Sequence, residues 1–203
     1  MTRAWWAAVA VALAVAGWAG MSAAQPQVGQ PAPAFTATDA KGQPHALAQY
    51  KGKYVVLEWF NNDCPFVKKH YDSGNMQRVQ ADATGRGAAW LTISSSAEGK
   101  QGHLTPEQAE AVVAARGAKQ TALLLDGSGA VGQLYGAKTT PHMFIINPEG
   151  TLIYAGAIDN QASTDPADVA TASNYVQQAL NEAMGGKRVS VAETRSYGCS
   201  VKY

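Results

Sequence analysis

The chain has 203 residues, a formal net charge of +1 and 46% hydrophobic residues. That length allows one domain with a real core, and the even charge balance leaves no electrostatic footprint for nucleic acid or an anionic membrane surface. Two cysteines and four scattered histidines lack metal-ligand spacing, so no metal is expected.

Residues 1–24 carry one basic residue, Arg3, an apolar run from Ala4 to about Ala19, and the small residues Ser22-Ala23-Ala24. This is the pattern of a secretory signal peptide cut after Ala24. The run falls short of the ~20 residues of a spanning helix. The expected product is a periplasmic or secreted protein, free of the membrane after cleavage, in a compartment where disulfides persist.

Gln25 to Ala34 is a Pro- and Gly-rich lead-in. FTATDAKGQPHAL predicts a short hairpin turning at Asp39 to Gly42. Tyr54 to Phe60, YVVLEWF, is a continuous apolar run holding one acid and predicts a buried central strand. Cys64-Pro65 opens a helix, since Pro suits a first turn where its missing N–H costs nothing. That helix is disturbed at Ser73-Gly74-Asn75 and resumes from Met76 to about Ala83.

Ala88 to Ser94 predicts the next strand. Thr105-Pro106-Glu107-Gln108 is a capped helix start, and Gly117 stops that helix after Arg116. Thr121 to Leu125 is a strand, Asp126 to Gly129 a turn, and Ala130 to Tyr135 one or two helical turns. Met143–Asn147 and Thr151–Ala157 flank Asn147-Pro148-Glu149-Gly150 as a hairpin. A last helix is expected to open at Asp165-Pro166, with Val169, Ala172, Val176, Ala179 and Ala183 on one face, and to end at Gly185-Gly186. The order of elements predicts one α/β domain over 25–186, a mixed central sheet with helices on both faces, and a tail over 187–203 that carries Cys199.

The chemistry starts at Cys64. Helix N-termini present unpaired N–H groups and the positive end of the dipole, which favour the reactive thiolate over the thiol. Lys68 and Lys69 are candidates to assist it, while Asp63 opposes it. Glu58, six residues earlier on the buried strand, is either a carboxyl of raised pKa that accepts protons near the sulfur or a side chain turned outward. Thr140-Pro141 at a strand entrance marks a tight turn of the kind that can hold a cis peptide bond. His142 is either a proton-handling neighbour of the thiolate or a histidine packed in the sheet. His70 and His103 are expected at the surface.

These residues resemble the thioredoxin-like fold: Trp59-Phe60 ending a strand, Cys64-Pro65 opening a helix, Thr140-Pro141 leading a strand. The resemblance covers about residues 28–185. It implies that Glu58 matches the buried acid of thioredoxins, Cys64 the first active-site cysteine, and Thr140-Pro141 the facing cis-proline loop, where Pro141 lets substrate backbone approach. NDCPFVKKHY, GNMQ, LLLDGSGAVGQLYGAKTTPHMFIIN, YAGAIDN and YGCSVKY are similar to the peroxiredoxin-like (redoxin) group of the alkyl hydroperoxide reductase/thiol-specific antioxidant superfamily. The second cysteine of a Cys-x-x-Cys pair is replaced by Val67, which rules out a local disulfide. Leu57 and Asn61 stand where a peroxidatic frame has Pro and Thr or Ser, so its peroxide-activating residues do not carry over.

The resemblance implies an exported thiol oxidoreductase or antioxidant with Cys64 as nucleophile. Its partners would be a thiol or disulfide protein, or a peroxide, together with an external dithiol reductant, and the resemblance implies no bound cofactor. A C-terminal tail can fold back over a helix N-terminus, so Cys199 is the candidate to resolve an oxidised Cys64. Two other readings stay open: a noncatalytic binding module on a thioredoxin frame, and a scaffold with a permanent 64–199 bridge.

Overall fold

The computed structural model describes residues 25–203; the expected signal peptide lies outside the described residues. A seven-stranded sheet organises the chain, in the spatial order β2-β1-β5-β4-β3-β7-β8. Its strands are β1 (Thr36–Asp39), β2 (Pro44–Ala46), β3 (Val55–Trp59), β4 (Ala89–Ser94), β5 (Ala122–Leu125), β7 (His142–Ile146) and β8 (Leu152–Gly156). β3, β4 and β5 run parallel, and β7 returns antiparallel to β3. A separate two-stranded ribbon pairs β6 (Thr139–Thr140) with β9 (Cys199–Ser200).

The central strands read as unbroken apolar runs because both faces of the sheet are covered. Every residue of β3, β4 and β7 is buried. On one face Val56, Trp90, Met143 and Ile145 pack against α1 (Pro65–Asp72), α2 (Asn75–Gly85), α3 (Pro106–Arg116) and α5 (Tyr175–Met184). On the other, Leu57, Trp59, Ile93 and Phe144 meet Val131 and Tyr135 of α4 (Ala130–Tyr135) and the lead-in segment. Helices therefore flank both faces, four against one.

The break between α1 and α2 falls where Ser73-Gly74-Asn75 placed it. Gly74 turns at φ +71°, a conformation that costs glycine little and other residues more. The helix expected from Asp165 is different: Pro166–Ala170 forms only a short 3-10 turn, and α5 begins at Tyr175. Asn174 is the reason. Its side chain accepts the Gln177 N–H at 2.9 Å, a true N-cap that starts a new helix, so Val169 and Ala172 do not share the face of Val176 and Ala179.

The tail is packed onto the domain. Val189 is buried in the helical-face core. The Ala155 N–H donates to the Ala192 carbonyl and the Thr194 N–H to the Ala155 carbonyl. Beyond β9, Val201 N–H donates to Lys138, and the Lys202 carbonyl accepts from Ala97.

Candidate active site

Cys64 caps α1, with Pro65 in the first helical position. Asn61 shapes the approach: its carbonyl accepts the Cys64 N–H, and its side chain accepts the Asp63 N–H at 2.9 Å and donates to Gln101. The Cys64 side chain is fully buried. Its Sγ lies 3.1 Å from the Thr140 carbonyl oxygen and 2.7 Å from the Sγ of Cys199. Both cysteines are free, and the separation exceeds the ~2.05 Å of a covalent disulfide.

The tail arrives there by β pairing. Thr140 faces Cys199 and Thr139 faces Ser200 in an antiparallel register, and the Thr140–Pro141 peptide bond is cis. The intervening Gly198 adopts φ +136°, and a Cβ there would sit 2.0 Å from the Thr140 carbonyl oxygen. Only glycine lets the tail come this close.

The two thiols are electrostatically unlike. Burial pushes the Cys64 thiol up. The Cys199 thiol, the Thr140 side chain and the backbone N–H groups of Val67 and Cys199 outweigh it, and the net shift is downward. Cys199 is pushed up to about 11, by burial first and then by Cys64 itself. Of the two thiols, Cys64 therefore gives up its proton the more readily. Val67, which removes the local partner cysteine, contributes a backbone N–H instead.

The other expected residues separate. Glu58 is fully buried, so the outward orientation does not occur. Its carboxylate accepts from the Tyr71 hydroxyl (2.9 Å), Gln80 Nε2 (3.1 Å), Trp90 Nε1 (2.8 Å) and the Thr92 hydroxyl (3.1 Å). Burial raises its pKa and these four donors pull it back; none of its hydrogen bonds reaches a sulfur. His142 packs on Phe144, ring centroids 4.4 Å apart, and its Nδ1 accepts the Lys138 N–H at 3.3 Å. It shares the sheet face opposite Cys64, and burial, with Lys138 nearby, lowers its pKa to about 4. It is the packed, neutral histidine.

Two expectations near Cys64 need correction. His70 is not at the surface: it is fully buried, because it lies on the inner side of α1 beneath the tail. Lys69 is also buried and turns from the sulfur to the Gln161 carbonyl, 2.6 Å away. Asp159 and Tyr197, which sequence reasoning passed over, stand beside them. The hydrophilic run Lys68-Lys69-His70 has the look of a solvated face, and the buried partners sit about 90 and 127 positions downstream.

The AhpC/TSA family matches residues 28–155. The chain belongs to that family. It is 30% identical over 118 residues to the thiol-disulfide oxidoreductase ResA of Geobacillus kaustophilus (strain HTA426), covering 53% of this chain and 68% of that one. Among solved structures, a hypothetical protein of Sinorhizobium meliloti 1021 is 27% identical with a TM-score of 0.74, covering 89% of this chain and 96% of that one. A thiol:disulfide interchange protein DsbE (so described, provisionally) of Chlorobium tepidum, 21% identical with a TM-score of 0.53 over 64% of this chain and 85% of that one, shares the fold. The fold is thioredoxin-like and the family is a redoxin family related to thiol-disulfide oxidoreductases.

Proposed function

We propose that this redoxin exchanges disulfides with an exported protein partner through the pair Cys64 and Cys199. The observation that carries this reading is the approach of the two sulfurs to 2.7 Å with the low-pKa thiol on Cys64. The Cys64 thiolate attacks one sulfur of a partner disulfide, forming a mixed disulfide and releasing the other partner sulfur as a thiolate, which takes up a proton. Cys199 then gives up its proton and attacks Cys64 Sγ, and the second partner thiol leaves. The partner disulfide is reduced to two thiols while the 64–199 dithiol is oxidised, and an external dithiol restores it. Because Cys64 is covered by the tail, β9 must leave β6 before a partner reaches it. The vacated β6 edge and cis Pro141 then offer backbone to an extended partner segment.

Disulfide exchange is favoured over peroxide reduction. Leu57 is buried on the face opposite Cys64 and the Asn61 side chain is committed to Asp63 and Gln101, so nothing at those positions is set to bind a peroxide. Export to an oxidising compartment, as the sequence of residues 1–24 implies, fits a dithiol of this kind.

The test is a peptide map under non-reducing conditions, on protein as isolated, after mild dithiol reduction, and after incubation with a disulfide-bonded protein. A 64–199 peptide that opens with dithiol and re-forms as the substrate is reduced supports the exchange. Two thiols that stay free throughout leave a binding module, and a bridge that resists mild dithiols leaves a structural scaffold.

A further inference from the structure

Three stretches far apart in the sequence meet under the tail: Lys69 and His70 from α1, Asp159 from the loop after β8, and Tyr197, two residues before Cys199. Asn75, the first residue of α2, joins them. Asn75 Nδ2 donates to His70 Nδ1 at 2.9 Å. That hydrogen bond assigns the His70 proton to Nε2, which then donates to the Tyr197 hydroxyl at 3.2 Å. The Tyr197 hydroxyl in turn donates to Asp159 Oδ1. Asp159 is 1% exposed; its Oδ2 makes no hydrogen bond, with Lys69 Nζ 3.9 Å and His70 Nε2 4.0 Å away. The Tyr197 ring lies against Phe66 at 5.8 Å and beneath Lys69 Nζ at 5.8 Å.

None of these groups touches either sulfur through a hydrogen bond, so disulfide exchange does not use them directly. A buried carboxylate and ammonium are expensive to keep out of water. Lys69 Nζ is met by the Gln161 carbonyl, while the hydrogen bonds of His70 Nε2 and Asp159 Oδ1 converge on one tail side chain, Tyr197. The Tyr197 hydroxyl is the link between the His70 N–H and Asp159 Oδ1; without it the His70 N–H has no partner and the buried Asp159 carboxylate keeps only the Gln161 N–H at 3.0 Å, in a dry site.

We propose that this relay, Asn75 to His70 to Tyr197 to Asp159 with Lys69 behind it, is a latch that holds the C-terminal tail over α1, and that Tyr197 is the positioning residue that places Cys199 at Cys64. The inference rests on the exchange reading for its consequence and on the geometry of the tail for the latch itself. Docking raises the effective concentration of Cys199 at the thiolate, so the latch sets how readily the 64–199 disulfide forms.

Tyr197→Phe and Tyr197→Ala test it in the full chain. In glutathione redox buffers, Y197F is expected to lower the equilibrium constant for the 64–199 disulfide about tenfold, the scale of a lost hydrogen bond to a charged group, and Y197A further. In the Cys199→Ser background, where no disulfide forms, the Val201 amide that bonds Lys138 is expected to exchange about tenfold faster in Y197F. The melting temperature and near-ultraviolet circular dichroism of the domain report whether the core is intact. An unchanged equilibrium constant with unchanged Val201 exchange in both folded variants overturns the latch. A wild-type chain that forms no 64–199 disulfide, yet whose Val201 exchange still answers to Y197F, keeps the latch and removes the exchange reading.

Discussion

Thr140 and Cys199 face each other as an antiparallel pair although 59 positions separate them. The pair places a cysteine from the last five residues of the chain at the N-terminus of the first long helix. It also fills, with the protein's own backbone, the edge beside the cis proline.

The roles of the two cysteines separate by substitution. Cys64→Ser is expected to reduce disulfide exchange to background, while Cys199→Ser still attacks and accumulates the mixed disulfide with its partner. Mass spectrometry of acid-quenched mixtures reads the difference. A partner retained on Cys199 in the Cys64→Ser chain, with none retained on Cys64 in the other, would reverse the assignment.

Alkylation of Cys64 with a small haloacetamide is expected to rise with pH through a midpoint below that of a free cysteine in the same buffer, since its pKa is lowered. Cys199, pushed up to about 11, stays protonated and slow over that range. A Cys64 midpoint at or above the free value contradicts the thiolate assignment.

Glu58→Gln is expected to leave that alkylation profile unchanged, because all four hydrogen bonds to Glu58 come from groups other than the thiols. The amide would turn an N–H toward existing donors, so a stability loss of about 1–3 kcal/mol is expected in urea unfolding. A displaced alkylation midpoint would restore Glu58 as a proton acceptor for the sulfur.

Two buried histidines give the fold an acid limit. Burial holds His70 and His142 near 4, from an ordinary 6.5, so the folded state keeps them neutral. Between those values the unfolded chain binds more protons, and stability is full above about 6.5 and lost as pH falls toward 4. Each contributes about 3 kcal/mol to that loss. His142→Gln is expected to flatten about half of the decline in urea midpoints measured from pH 7 to 4.

Gly198→Ala is expected to displace β9, because its Cβ would meet the Thr140 carbonyl oxygen. The yield of 64–199 disulfide at a fixed glutathione ratio should fall severalfold with the domain's melting temperature little changed. An unaffected yield would show that the tail reaches Cys64 by another path.

The sheet and most helices were legible because their signals are local: the β-branched run at 55–59, the Thr105 capping box, the Asn147–Gly150 turn. So was the place of Cys64, at a Pro-led helix start. The 3-10 turn at 166–170 was not, since an apolar spacing continued through the break and only the Asn174 cap divided it. The roles of Lys69, His70, Asp159 and Tyr197 were hidden for another reason. Each is polar and ordinary in its own neighbourhood, and they become a site only when the tail brings Tyr197 across the fold. Pairing Thr140 with Cys199 likewise depends on a two-residue ribbon too short to leave a periodicity.

The tail ends in a socket as well. The Tyr203 hydroxyl donates to the Ala137 carbonyl at 2.8 Å, and its side chain lies so close to Gly129 and Gly132 that a Cβ at either would fall 2.5 Å from it. Cys199 is thereby held between two anchored tyrosines, Tyr197 at Asp159 and Tyr203 at Ala137. A cysteine pinned on both sides is aimed at one sulfur, and a foreign thiol cannot draw it away without lifting the whole segment.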